Sequence, residues 1–110
     1  MKPFAFSNRF CKIQFFEDDP IVVTIQIGDD LDKRILESGL LIEKADRSKD
    51  VDTRINSYRD ALDMLIGEEK AEEIIKRADT NDSLTCLELW QYVVLAVREH
   101  KQKNLTASVR

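Results

Sequence analysis

The chain has 110 residues, 43% of them hydrophobic and 35% charged, a balance that suits one globular domain with its own core and excludes a disordered chain. Its formal net charge of −4 at pH 7 argues against non-specific binding to nucleic acid or to an anionic membrane, where cationic surface supplies the affinity. No apolar run approaches the roughly 18 residues that span a bilayer, MKPFAFSNRFCK has no apolar stretch of the kind a secretory signal carries, and two cysteines, Cys11 and Cys86, make no disulfide framework and fit a reducing, cytoplasmic setting.

In chain order, β structure comes first. CKIQFF and IVVTIQI are rich in branched and aromatic residues and flank EDDP. Cys11, Ile13 and Phe15 alternate with Lys12, Gln14 and Phe16; Ile21, Val23, Ile25 and Ile27 alternate with Val22, Thr24 and Gln26. Side chains repeat every two residues along a strand, so both apolar sets share one face of an antiparallel hairpin only if an odd number of residues connects them. A loop over 16–20 satisfies this; a loop over 18–20 would put Pro20 where left-handed geometry is needed, so the longer loop or a bulge is expected. Phe16 and Val22 fall off the apolar face and are candidate partner-binding residues, unless they tuck under a helix or under the N-terminal segment with Phe4 and Phe6.

Gly28 ends the second strand and Asp29 or Asp30 can cap a helix. Leu31, Ile35, Ile42 and Ala45 lie near one face of it, broadened by Leu36 and Leu41. Ser38-Gly39 weakens its middle, by about 1 kcal/mol at the glycine, and is the place for a kink. ADRSKD, 45–50, reads as an exposed turn. Val51, Ile55, Tyr58, Leu62 and Leu65 then form the stripe of a helix, with Arg54, Arg59, Asp60 and Asp63 away from it and Gly67 as its stop. EEKAEEIIKRA is a short helix with acids at its start and Lys76 and Arg77 at its end, as the macrodipole favours, and Ala71, Ile74, Ile75 and Ala78 as its stripe. The last helix, about 86–102, is apolar on most sides through Leu87, Leu89, Trp90, Val93, Val94 and Val97, which predicts a central position; Trp90 is a third candidate for partner contact. The expected architecture is α+β: an N-terminal hairpin on three to four helices in one domain over 1–103, with 104–110 a frayed tail.

Chemistry is offered most openly by RADTNDSLTCLELW, where Asp79, Asn81, Ser83 and Thr85 place an oxygen at every second position, as a calcium loop begins. Such a loop needs glycine sixth and glutamate twelfth; Leu84 and Trp90 stand there. A helix start fits better, with Thr85-x-x-Glu88 as capping box and Leu84 and Leu89 at the staple positions. Cys86 would then open the helix, where a thiol can be activated, although a small buried hydrophobe is the commoner role. The single histidine, His100, lies fourteen residues further along, roughly 21 Å at the helical rise, too far for a Cys–His dyad. Asp60 with Asp63, or Glu69 with Glu73, could pair at helical spacing, but acid–base work also needs a cleft to shift their pKa values. No phosphate-binding glycine loop and no Cys/His metal spacing occurs. The helices at 68–78 and 85–102 could mimic a helix-turn-helix, yet the second opens with Glu88, Trp90, Gln91 and Tyr92 and aliphatics, a poor set for reading bases. The basic end formed by Arg98, Lys101, Lys103 and Arg110 reads as a solvated terminus. The residues therefore predict no enzyme, cofactor or metal, and a protein partner in place of nucleic acid or membrane.

LDMLIGEEKAEEIIK, the polar turn DTNDSL and TCLELWQYVVLAV together resemble the small tail assembly chaperone proteins of long-tailed bacteriophages and related prophages of Gram-positive bacteria. In that group a helix ends in glycine followed by acidic residues and a short helix, then a polar turn and a final apolar helix. The matching positions are Gly67, Glu68, Glu69, Ala71, Ile74 and Ile75, then Leu84, Leu87 and Trp90, about half the chain. The resemblance implies a protein without catalytic residues that works in the bacterial host cell, binds the long tape-measure protein, helps recruit tail-tube subunits and often self-associates. The alternative expectation is a general bacterial interaction module or regulatory subunit.

Overall fold

A computed structural model describes residues 9–78 and 82–109, the side chains of the last helix to Lys103. Phe4, Phe6, Asp79 and Asn81, singled out above, lie outside the described residues. Strands β1 (Phe10–Phe15) and β2 (Ile21–Gln26) are followed by helices α1 (Asp29–Asp46), α2 (Val51–Ile66), α3 (Glu68–Ala78) and α4 (Ser83–Val109). The fold is α+β, an N-terminal antiparallel hairpin against a four-helix bundle. No helix among the described residues is long and apolar enough to cross a membrane.

The parity argument decides the hairpin. Phe15 faces Ile21 and Cys11 faces Ile25, leaving the five-residue loop 16–20. Cys11, Ile13, Phe15, Ile21, Val23 and Ile25 are all buried on one face, while Lys12, Gln14, Val22, Thr24 and Gln26 are exposed on the other. Within the loop Phe16 (φ 70°) and Asp19 (φ 49°) adopt the left-handed conformation, which Asp tolerates and a bulky Phe resists. Arg77 of α3 holds this conformation. Its guanidinium donates to the carbonyls of Asp18 and Asp19 and lies 4.7 Å from the Phe16 ring centroid, a cation–π contact.

The hairpin's apolar face lies on α2 and α4. Phe15 meets Tyr92 edge to face at 5.3 Å, and Tyr92 Oη donates to the Gln14 carbonyl at 2.8 Å. Helix α4 is central, between β1 and α2, and α2 shares the centre by touching α1, α3 and β2 as well. Burial at this junction is complete: Ala61, Leu62, Ile74, Cys86 and Val93 retain no exposure.

Several sequence expectations need correction. Leu36 does not broaden the buried face of α1; that face is Leu31, Ser38, Ile42 and Ala45, and Leu36 is 70% exposed. Ala45 lies on the buried face as expected, but α1 continues through Asp46, so the turn expected over 45–50 starts only at Arg47. Val51, expected to begin the α2 stripe, is exposed, whereas Asp63, expected outside, is half-buried. Helix α4 starts at Ser83 and not near 86, and it continues through the segment expected to fray, to Val109. Its cap is Asp82, whose Oδ1 accepts the Thr85 N–H at 2.8 Å, so Thr85 is the third helical residue and Cys86 the fourth. Gly67 does stop α2: at φ 89° it takes a backbone conformation that side chains resist, while its N–H bonds the Asp63 carbonyl.

Candidate functional site

Two polar places lie inside the bundle. The first is Ser38, fully buried in α1. Its hydroxyl donates back to the Ile35 carbonyl at 2.8 Å and accepts the Trp90 indole N–H at 2.9 Å. The Ser38-Gly39 pair, read as a weak point, is thus a joint between α1 and α4: a small hydroxyl admits the indole and satisfies its donor.

The second surrounds Asp63 and Cys86. Burial pushes the Asp63 carboxyl above its usual 3.8, with Arg59 opposing and Asp60 and Glu68 adding to the rise. Asp63 Oδ1 and Arg54 Nε are buried without a hydrogen-bond partner among the described residues. Burial likewise raises the Cys86 thiol, opposed by Arg59 and reinforced by Asp82 and Asp63. A thiol moved up, in a fully buried position, is poorly suited to attack a substrate. His100 lies on the same unbroken helix, so the roughly 21 Å estimate stands. No group of three or more His, Cys, Asp or Glu among the described residues is placed to hold a metal ion.

An acid with a raised folded-state pKa binds its proton more tightly in the folded chain. Its contribution to stability is full below the unfolded value of 3.8 and is lost as pH rises through the folded value. Asp63→Asn is therefore expected to remove that loss. Chemical denaturation between pH 3.5 and about 7 should show the wild-type chain losing stability relative to the variant as pH rises; parallel pH profiles would refute it.

The three candidate contact residues stand apart in role. Phe16 is half-buried beneath Arg77. Trp90 is half-buried and committed to Ser38. Val22 alone is free, exposed on the outer face of the hairpin. The sequence reading missed a more open apolar surface: Leu36 and Leu40, 70% and 60% exposed on the outer side of α1, and Leu84 and Leu95 on the outer side of α4. Leu36 and Leu40 are one turn apart and opposite Leu31, Ser38 and Ile42, a position readable only once Ser38 is counted as core. Beside Leu95 runs a shallow groove of about 280 Å3 walled by Trp90, Val94 and Arg98. A larger one of about 440 Å3 lies between the hairpin tip and α4, lined by Phe15, Phe16, Leu89 and Tyr92.

No protein-family model, curated protein or solved structure matches this chain.

Proposed function

We propose that this chain is a non-enzymatic interaction protein of the tail assembly chaperone type, binding the apolar helical segments of a tape-measure protein. The observation that carries the reading is the outward pair Leu36 and Leu40 on α1. Large apolar side chains one turn apart, held on a rigid helix whose other face is fully committed to the core, suit a helical partner with its own apolar stripe. Lys33, Glu37, Glu43 and Lys44 surround them with exposed charge of both signs, the polar rim of such a contact. The buried, upward-shifted Cys86 favours this role over thiol chemistry.

The test is co-expression with fragments of a tape-measure protein, followed by size-exclusion chromatography. The wild-type chain is expected to elute with an apolar helical fragment and keep it soluble. Leu36→Glu with Leu40→Glu should weaken that association by about tenfold or more without unfolding the chain, because neither side chain is in the core. Failure to retain any fragment, or equal retention by the double variant, would overturn the reading. A tape-measure gene immediately downstream would favour the phage role over a general regulatory subunit.

A further inference from the structure

Helix α1 buries one face and leaves the other open. Leu31, Ser38, Ile42 and Ala45 are buried. On the opposite side Asp29, Lys33, Leu36, Leu40, Glu43 and Arg47 are all exposed. These six follow one another at spacings of four, three, four, three and four residues, the repeat that keeps one stripe of a helix facing a second helix along its length. Arg47 belongs to the stripe although α1 ends at Asp46, because its backbone (φ −85°, ψ −11°) is still right-handed helical.

Read backwards, the stripe is its own complement. Leucines hold its two middle positions and two charges of each sign hold its ends, so the seam is neutral in a chain whose net charge is −4. In a twofold pair every contact occurs twice with the roles exchanged. Laid antiparallel on a second copy with Leu36 against that copy's Leu40, Lys33 meets Glu43 and Asp29 meets Arg47, and the same pairs recur at the other end. Laid parallel, each seam residue meets its own copy, so Asp29, Lys33, Glu43 and Arg47 would all face a like charge. Sliding the antiparallel pair by one seven-residue repeat sets Lys33 on Leu36 and Asp29 on Leu40, or Glu43 on Leu40 and Arg47 on Leu36. Charge and hydrophobicity therefore choose the same orientation and the same register.

The charges beside the seam do not reverse this choice. Asp30 is paired with Arg34 and Asp32 with Lys101, and Asp46 accepts the Tyr58 hydroxyl. In the antiparallel pair Asp32 shares a side with Asp46 of the second copy, two acids each already bonded within its own chain. Glu37 stands near its own copy at the twofold axis, a single repulsion. Each Lys44 approaches Lys33 of the other copy, with that copy's Asp30 and its own neighbour Glu43 alongside, so two cations stand with two acids. The Glu43–Arg47 pair within one chain, 2.8 Å apart and exposed, is of the kind that contributes little and can be exchanged.

We propose that the outer face of α1 pairs antiparallel with the same face of a second copy of this chain, Leu36 on Leu40, Lys33 on Glu43 and Asp29 on Arg47. With two leucines from each copy at its centre, the contact is small and reversible. The free chain thereby covers Leu36 and Leu40, and a helical partner reaches them only by displacing the second copy. The self-pairing does not rest on the chaperone reading; it names what occupies this face when no other partner is present.

The test is sedimentation equilibrium of the full chain alone, at low salt and over roughly 10 μM to 1 mM, the range for a weak contact. The wild-type chain is expected to pass from monomer to dimer and to stop there, because a twofold contact closes on itself. Lys33→Glu sets acid against acid at both ends, and Glu43→Lys sets cation against cation; each should weaken the dimer about tenfold or more. The double variant Lys33→Glu with Glu43→Lys restores both pairs with the signs exchanged and should recover most of that loss. An equimolar mixture of the two single variants should likewise associate where neither does alone. All four positions of change in these variants are exposed, and unchanged far-UV circular dichroism checks that the fold is kept. A wild-type chain that is monomeric at the top of the range, a Lys33→Glu chain that dimerises as tightly as wild type, or a double variant as weak as the single ones would each overturn the proposal. The chain is measured alone, so a failed co-elution with tape-measure fragments leaves the self-pairing standing, whereas a monomeric chain that still retains a fragment overturns the self-pairing and not the proposed function.

Discussion

Truncating Leu62 to alanine is expected to destabilise the chain by about 2–5 kcal/mol, the range for large-to-small changes at sites that cannot collapse. Leu62 has no exposed surface. It sits on α2, the element that touches all three other helices and β2, so every wall around the lost side chain belongs to a rigid neighbour. Relaxation of one wall would disturb another contact, and the cavity should persist. Against a typical total stability of about 5–15 kcal/mol, this single change removes a large share. Urea denaturation should show a lower midpoint with an unchanged slope, meaning less stability and the same area exposed on unfolding. A loss under about 1 kcal/mol would mean that the α2 junction is loosely packed and that the bundle described above is wrong at its centre.

Replacing Ser38 by alanine is expected to cost about 1–3 kcal/mol, because the Trp90 indole N–H is left in a largely buried position without an acceptor. The hydroxyl's other bond, to the Ile35 carbonyl, lies within α1 and contributes little across the joint. A double-mutant cycle separates the two. With Trp90→Phe as the partner change, the donor is gone and Ser38→Ala should then cost much less, giving a coupling energy of about 0.5–3 kcal/mol. Additive effects would show that the 2.9 Å contact does not link α1 to α4. Measured by thermal unfolding, the single variant should also melt several degrees lower, as expected for a chain of this size.

These two residues divide the legibility of the fold. Leu62 is plain in the sequence: it belongs to the stripe with Tyr58 and Leu65, and any amphipathic helix there must bury it. The hairpin was legible for the same kind of reason. Side-chain alternation leaves no choice about the parity of the loop and proline chemistry disfavours the shorter one, so local rules narrow the connection to the longer loop or a bulge, and the pairing of Phe15 with Ile21 selects the loop 16–20. Gly67 was legible as a helix stop because its left-handed backbone is a local property.

Ser38 was not legible. A serine beside a glycine in mid-helix looks like a weakness, and it becomes an anchor only when a distant Trp90 arrives with a donor to satisfy. The start of α4 failed for a related reason. Asp82 and Thr85 are both competent caps three residues apart, and local grammar alone does not choose between them. Leu36 and Leu40 were hidden because hydrophobicity predicts burial, and which apolar side chains stay outside depends on where the neighbouring helices run.

The chain's own order of residues was sufficient for whatever is settled within a few bonds: alternation along β1 and β2, the 3.6-residue stripe of α2 and the stop at Gly67. Tertiary structure decided what depends on residues far apart: that Ser38 is core, that Tyr92 bonds the Gln14 carbonyl on β1, and that Asp63 Oδ1 is buried without a hydrogen-bond partner among the described residues. The physical reason is that periodicity and backbone conformation are local energies, whereas burial and hydrogen-bond satisfaction are set by partners that folding brings from fifty or more positions away, as Trp90 is brought to Ser38.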